Sequence, residues 1–319
     1  MDLNNLPEPV VILGGGGFIG SNLGETLFNH AVRDLRLVDV QFQDWRWSPE
    51  HYRYTIDLRE PKAADYIIEK AGTVFHLAAD MGGVEYFHGP YDYAASLDNQ
   101  LMTTNVLKAC IKHNTPRLIY SGSVCAYDTT SMNSGIMQEE SGYMKGDPDA
   151  MYGADKRNGT HFVVNAPIDG RAVLFDTVYG PGQEHEGVRM KFPAAVATKA
   201  LKSLNTGQLI LFGDGSQKRC YLYIDDAITR LLNVATRDRP DGPVNIGGTN
   251  LVSCREIAEF CLDYVESDAI LLADISMPTG VKTRKTSQAK YTNLYGGWQE
   301  TAYQEGFALF IDWLKTVLV

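Results

Sequence analysis

The chain has 319 residues, of which 44% are hydrophobic and 21% charged, with 30 glycines, a balance that fits a soluble globular protein with an ample core. A formal net charge of −10 argues against a nucleic-acid or anionic-membrane surface, although it leaves room for a local cationic pocket that takes a phosphorylated ligand. The five cysteines (Cys110, Cys125, Cys220, Cys254 and Cys261) include no Cys-x-x-Cys pair, so no metal site is indicated and reduced thiols are expected. Residues 1 to 9 lack the basic start and apolar run of a signal peptide, and no window approaches the roughly 18 apolar residues of a membrane span. A cytoplasmic protein is therefore expected.

Residues 10–13 form a short apolar strand that runs into four glycines and then a helix predicted to reach about His30. Gly14, Gly17 and Gly20 have the Gly-x-x-Gly-x-x-Gly spacing of a dinucleotide-binding turn. The early glycines permit close approach to a pyrophosphate, and Gly20 lets helix and strand pack closely. The next strand, 35–39, ends in Asp39, a carboxylate placed to accept hydrogen bonds from the adenosine ribose. Asp39 would repel a 2′-phosphate and no arginine follows it directly, which favours NAD over NADP. A third strand is predicted over 53–58, with Asp57 and Leu58 placed to bracket an adenine. A fourth covers 73–79 and leads to Gly82 and Gly83, where a ligand can approach the backbone. His76 reads as a packed strand residue, having no metal partners near it in sequence. A long helix is predicted from Pro90 to about His113.

Leu118 opens an apolar strand whose carboxyl end carries Ser123, with Cys125 two residues beyond; along an extended backbone those two positions face the same side. A helix predicted over 151–165 carries Tyr152 and Lys156 four apart, so both leave one face. An ammonium beside a phenol favours the phenolate, so Tyr152 is expected to have a lowered pKa and to act as a base, with Ser123 completing a proton relay. A strand over 171–181 ends in Gly180 and Pro181, and shorter elements follow. Arg189 and Lys191 stand at the entrance of a helix, an arrangement the helix dipole disfavours unless an anion binds there. A turn through Arg219, a helix capped by Asp225 or Asp226, a strand near Asn245, a helix capped by Ser253, a basic loop from Pro278 to Arg284 and a closing amphipathic helix over 303–317 complete the chain. Alternating β and α elements imply an α/β protein with a Rossmann-type, doubly wound parallel sheet and its ligand crevice at the strand carboxyl ends. The expected division is a NAD-binding domain over 1–180 and a smaller C-terminal α/β substrate-binding lobe over 181–319, some later segments of which return to the first. No Ser/Gly linker separates them, so one compact body is expected.

The three glycines, Asp39, Ser123 and Tyr152-x-x-x-Lys156 together resemble the extended short-chain dehydrogenase/reductase family of NAD-dependent nucleotide-sugar epimerases and dehydratases. The likeness covers nearly the whole chain, including the Tyr179–Pro181 turn, Arg219 and Asp226. Residues 78–83, Cys125, residues 187–195 and residues 278–284 are most similar to the GDP-mannose 3,5-epimerase branch of that family. The resemblance implies a NAD cofactor, with Phe18, Ile19, Leu77, Ala78 and Ala79 among its contacts. It also implies a GDP-sugar substrate, no nucleic-acid or membrane partner, and a homodimer formed through the helices near 90–113 and 151–165.

In the chemistry so implied, Tyr152, helped by Lys156 and Ser123, takes a proton from the C4 hydroxyl while hydride moves to NAD. The resulting ketone acidifies the C3 and C5 hydrogens, and inversion needs a base on one face of the ring and an acid on the other. Cys125 and Lys191 match the residues with those roles, in an order the sequence leaves open. Arg219, Arg284 and Arg189 are candidates for the pyrophosphate, since guanidinium forks bind phosphate bidentately. Gly82, Gly83 and Thr177 complete the expected substrate contacts. The chain departs from the family at Asp176-Thr177, where an asparagine is usual before the Tyr-Gly-Pro turn, in the polar run Glu85 to His88, and in the loop from Asp128 to Pro148. A 4,6-dehydratase would carry an acidic pair where Val124 and Cys125 stand. A 4-epimerase needs only the Tyr/Lys set and leaves Cys125 and Lys191 without a task. A UDP-glucuronate decarboxylase and a non-catalytic NAD-sensing protein of the same fold are further alternatives.

Overall fold

The computed structural model describes residues 3–87 and 89–318, so His88 of the polar run above lies outside the described residues. Strand β1 (Val10–Leu13) passes through the glycine turn into helix α1 (Phe18–Asn29), then β2 (Leu35–Asp39), β3 (Arg53–Thr55), α2 (Pro61–Ile68) and β4 (Thr73–His76). The short helix α3 (Val84–Phe87) and the long α4 (Asp92–Lys112) lead to β5 (Arg117–Ser123), α5 (Thr129–Asn133), α6 (Ala150–Val164) and β6 (Gly170–Phe175). Beyond these come β7 (Thr177–Tyr179), α7 (Phe192–Thr206), β8 (Gln208–Phe212), β9 (Lys218–Tyr223), α8 (Ile224–Thr236), β10 (Val244–Ile246), β11 (Leu251–Ser253) and α9 (Cys254–Tyr264). Strands β12 (Ile270–Asp274) and β13 (Thr283–Arg284) and helices α10 (Ala289–Tyr295) and α11 (Tyr303–Val317) close the chain.

Seven parallel strands in the order β10-β6-β5-β4-β1-β2-β3 make the Rossmann-type sheet. Its strands read as continuous apolar runs because both faces are covered. In β1, Val10 and Ile12 pack into one core layer, and Val11 and Leu13 into the other. Chain order reverses between β1 and β4, and the crevice that opens at their carboxyl ends is where an open α/β sheet binds its ligands. The 181–319 segment contributes β10 to this sheet. It also builds a small sheet in which β9 lies between β11 and β13 and pairs with β7, and a two-stranded pair of β8 with β12.

Three local expectations are corrected. The third strand stops at Thr55, so Asp57 and Leu58 stand in the loop that follows it. Helix α8 begins at Ile224 with Tyr223 at its N-cap; Asp225 and Asp226 sit in the first turn, where they complement the helix dipole without capping it. The basic loop 278–284 ends in β13, whose Arg284 pairs with Arg219 across the ladder. Ser253 does cap α9, in a capping box with Glu256. His76 is buried with its Nε2 against Thr103 Oγ1 at 3.2 Å. Among the described residues no helix is long and apolar enough to cross a membrane.

Candidate active site

Two cavities meet at the carboxyl edge of the large sheet. The larger, about 630 Å³, is lined by every residue the sequence assigned to the cofactor: Gly14, Gly17, Phe18, Ile19, Gly20, Asp39, Asp57, Leu58, Leu77, Ala78, Ala79, Tyr152 and Lys156. Its shape depends on missing Cβ atoms. One added at Gly14 would lie 2.7 Å from the Ala78 nitrogen, one at Gly20 2.0 Å from the Gly14 carbonyl oxygen, and one at Gly16 2.4 Å from the Gln41 carbonyl oxygen. No side chain caps α1, whose N-cap is Gly17, so its first N–H groups face the cavity's anion position. Asp39 accepts from the Gly16 N–H at 3.0 Å through one oxygen and from the Val40 N–H at 2.8 Å through the other. Asp57 is held by the guanidinium of Arg59. A glycine cradle, an uncapped helix start and an acid at the ribose position fit NAD.

The second cavity, about 460 Å³, opens beside the first, and Ser123, Tyr152 and Lys191 line both. Gly82, Gly83, Cys125, Thr177, Arg219 and Arg284 line it as well. Arg189 does not; it faces the cofactor cavity, paired with Asp80 and lying 4.7 Å over the Tyr86 ring. Ser123 ends β5, and α6 presents Tyr152 and Lys156 from one face, with the Lys156 Nζ 5.9 Å from the Tyr152 ring centroid and donating to the Ser121 carbonyl at 3.0 Å. Tyr152 is stacked on Phe87 of α3 at 4.3 Å.

The electrostatics correct one expectation. Burial pushes the Tyr152 phenol well above its ordinary value, Cys125 pushes the same way, and the hydrogen bond with Ser123 opposes them. Lys156, itself lowered by burial, does not reverse this, so the protein alone does not supply the lowered phenol pKa the sequence suggested. Lys191, at the N-cap of α7, is lowered to about 8 by burial, against the pull of Cys125 and with repulsion from Arg284 and Lys156. Asp176 at the end of β6 lines both cavities, and burial raises its carboxyl to about 6 despite Arg284, the Thr177 N–H and the Thr286 hydroxyl.

Cys125 reaches the site by another route than the one expected. The backbone leaves the extended conformation after Ser123, and residues 124–126 form a 3-10 turn in which the Cys125 N–H donates to Ser123 Oγ at 3.2 Å. The turn is pinned because the Cys125 carbonyl accepts from the Asp149 N–H at 2.9 Å and lies where a Cβ on Gly153 would sit 2.2 Å away. Arg284 is also placed differently from a free phosphate ligand, since it donates to Asp149 Oδ2 at 2.6 Å. Sequence reasoning gave no role to Gly16, Arg46, Asp149, Gly153, Asp176 and Gln183. Gly16 was visible in the glycine run and Asp176 only as a departure from the family's asparagine, whereas Arg46, Asp149 and Gly153 act through partners too distant in sequence to leave a spacing.

With this geometry in view, the chain matches the model of the NAD dependent epimerase/dehydratase family over residues 10–247, and it belongs to that family of NAD-dependent enzymes acting on nucleotide sugars. It is similar to GDP-mannose 3,5-epimerase of Arabidopsis thaliana, at 28% identity over 96% of this chain and 82% of the relative. Likeness to GDP-mannose 3,5-epimerase 1 of Oryza sativa subsp. indica is 27% identity over 96% and 81% of the two chains. Among solved structures it resembles UDP-glucose 4-epimerase of Thermotoga maritima with UDP-glucose, with a TM-score of 0.85 at 19% identity over 97% of this chain and 99% of that one. UDP-glucose 4-epimerase of Thermus thermophilus in complex with NAD follows the same fold, with a TM-score of 0.80 at 20% identity over 96% and 98%.

Proposed function

We infer that the chain is a nucleotide-sugar epimerase that inverts carbons beside C4, with chemistry of the GDP-mannose 3,5-epimerase type. The observation that carries the reading is that Cys125 and Lys191 line the same cavity as Ser123 and Tyr152. NAD, held by the residues of the larger cavity, would supply the hydride acceptor and donor for C4 and the positive charge of an oxidised ring beside Tyr152. Tyr152 receives the C4 hydroxyl proton as the hydride leaves, with Ser123 as its hydrogen-bond partner and Lys156 behind it. The C4 ketone so formed acidifies the neighbouring C–H bonds. Cys125, flanked by Lys191 and Arg284, is the group placed to take such a proton. Lys191, which at pH 7 is mostly an ammonium because its pKa stands at about 8, delivers one to the opposite ring face. Tyr152 then returns its proton as the alcohol is restored. Arg219, whose Nη1 donates to the Lys218 and Lys282 backbone carbonyls and to no carboxylate among the described residues, is a guanidinium of this cavity open to a substrate diphosphate. We further read the protein as a cytoplasmic homodimer. Supporting the dimer are apolar side chains that α4 and α6 leave exposed, among them Tyr93, Leu97, Leu101 and Phe162.

Proton NMR with GDP-mannose in D2O tests the reading. Deuterium entering at C3 or C5 with new hexose signals is expected, and Cys125→Ala should abolish both. An unchanged GDP-mannose spectrum together with C4 inversion of a UDP-hexose would replace this reading with a 4-epimerase.

A further inference from the structure

We propose that Arg46 is a clasp that locks the dinucleotide into its cavity, and that Gln183, on the loop the clasp holds down, is a direct contact to the bound cofactor. Arg46 lies beyond β2 at the rim of the cofactor cavity, with its side chain only 8% exposed. Its guanidinium bonds in three directions: Nη1 donates to the Gly16 carbonyl at 3.1 Å, Nε to the Gly182 carbonyl at 2.8 Å, and Nη2 meets Glu184 Oε2 at 3.3 Å. Gly16 belongs to the cofactor turn, whereas Gly182 and Glu184 belong to the loop that leaves β7 for the second half of the chain. One planar fork therefore staples the two halves together across the cavity mouth, a geometry that a lysine point charge cannot reproduce.

The loop is fastened at two further points. Asn22 on α1 donates through one amide nitrogen to the Phe18 carbonyl at 2.9 Å and to the Pro181 carbonyl at 3.2 Å. His185 packs its ring against Trp45 at 4.9 Å and Trp313 of α11 at 5.4 Å, while the Arg46 guanidinium lies 4.1 Å over the same Trp45. Between these anchors stands Gln183. It is 4% exposed, it lines the cofactor cavity, and its Oε1 has no hydrogen-bond partner among the described residues. A buried amide oxygen without a donor is costly, and a hydroxyl or N–H of the dinucleotide is the donor that the cavity is built to receive.

The chemistry gives the clasp a purpose. An enzyme that oxidises a sugar and then reduces it again must keep the reduced cofactor in place between the two steps. That purpose rests on the redox-neutral reading above, whereas the test does not.

Retention is measured without any sugar, by loading the full-length protein with NAD, adding labelled NAD in excess, and following exchange through a desalting column. The wild type should exchange slowly, and Arg46→Met should exchange at least tenfold faster. Arg46→Lys should behave like Arg46→Met, because it keeps the charge and loses the fork. Gln183→Ala should also release NAD faster with the clasp intact, which keeps the proposal testable if an Arg46 variant fails to fold by circular dichroism. Glu184→Gln should change exchange less than threefold, since its carboxylate is half-exposed and the two backbone bonds remain. Exchange as slow as wild type in folded Arg46→Met and Gln183→Ala, or rapid exchange in the wild type itself, overturns the clasp. Slow exchange in a protein that leaves GDP-mannose unchanged would uphold the clasp and remove only the proposed substrate.

Discussion

In the cofactor cavity the decisive approaches are backbone against backbone, such as the Gly20 Cα beside the Gly14 carbonyl and Gly14 beside the Ala78 nitrogen. In the substrate cavity and at its border they are side chain against side chain: Arg284 on Asp149, Arg189 on Asp80, and Lys191 set among Cys125, Arg284 and Lys156. The first kind of site tolerates no added atom. The second tolerates changes of shape and responds to charge. Substitutions at the two sites should therefore fail in different ways.

The largest effect is expected at Gly20. An alanine inside a helix ordinarily gains about 1 kcal/mol over glycine. Here its Cβ would fall 2.0 Å from the Gly14 carbonyl oxygen, so helix and turn must separate. A backbone overpacked in this way costs about 3 kcal/mol, which outweighs the propensity gain. Gly20→Ala should unfold at lower urea and lose bound NAD together with stability. A Gly20→Ala protein of normal stability that holds NAD would break the comparison, because it would show the turn to be plastic.

In the substrate cavity the comparison sharpens on pH. Lys191 is lowered from 10.5 to about 8, chiefly by burial. In the proposed role of proton donor it must be charged, so turnover should fall as pH rises through about 8, roughly tenfold for each further unit. Lys191→Arg should work more slowly and lose that descending limb, since a guanidinium stays protonated throughout. Stability moves the other way. Between about 8 and 10.5 the unfolded chain binds more protons at this residue than the folded one, so Lys191's contribution to stability rises with pH across that window. Rates of deuterium incorporation and urea midpoints at the same set of pH values check both signs.

The same contrast explains what was legible in the sequence. Glycine spacing, an acid at a strand end and a Tyr-x-x-x-Lys helix face are local patterns, and local patterns fix backbone geometry; every residue they named lines the cofactor cavity. The fold was legible for the same reason, since fully buried strands such as β1 read as unbroken apolar runs. Of the charged groups the sequence singled out for the second cavity, Lys191, Arg219 and Arg284 line it and Arg189 does not, and their partners were not legible. Arg284 looked like a free phosphate ligand because Asp149, its partner, lies 135 positions away. Arg46 leaves no local pattern in the sequence because its acceptors are Gly16, Gly182 and Glu184. Cys125 was expected to share Ser123's face by strand alternation, yet it reaches the cavity by a 3-10 turn set by Asp149 and Gly153, neither of which has a local signature. A motif states which atoms are needed, and long-range pairing decides which of them are free.

The smallest effect should come from Arg189, and there a buried and an exposed arginine can be compared at one cavity. Arg46 and Arg189 both face the cofactor cavity and both meet a carboxylate. The Arg46 side chain is 8% exposed and two of its three bonds go to backbone carbonyls, whereas that of Arg189 is 49% exposed and its main partner, Asp80, is a side chain also bonded by the Tyr86 hydroxyl at 2.8 Å. An exposed ion pair contributes less than about 1 kcal/mol and is screened by salt. Arg189→Met should therefore leave the urea midpoint and NAD exchange near wild type, and it should raise KM for the nucleotide sugar less than threefold, because its guanidinium is already occupied by Asp80. A KM rise of tenfold or more with kcat unchanged would mean that Arg189 leaves Asp80 for the substrate diphosphate, as its place before α7 suggested. The substrate cavity would then be assembled by its ligand, in contrast to a cofactor cavity that is preformed.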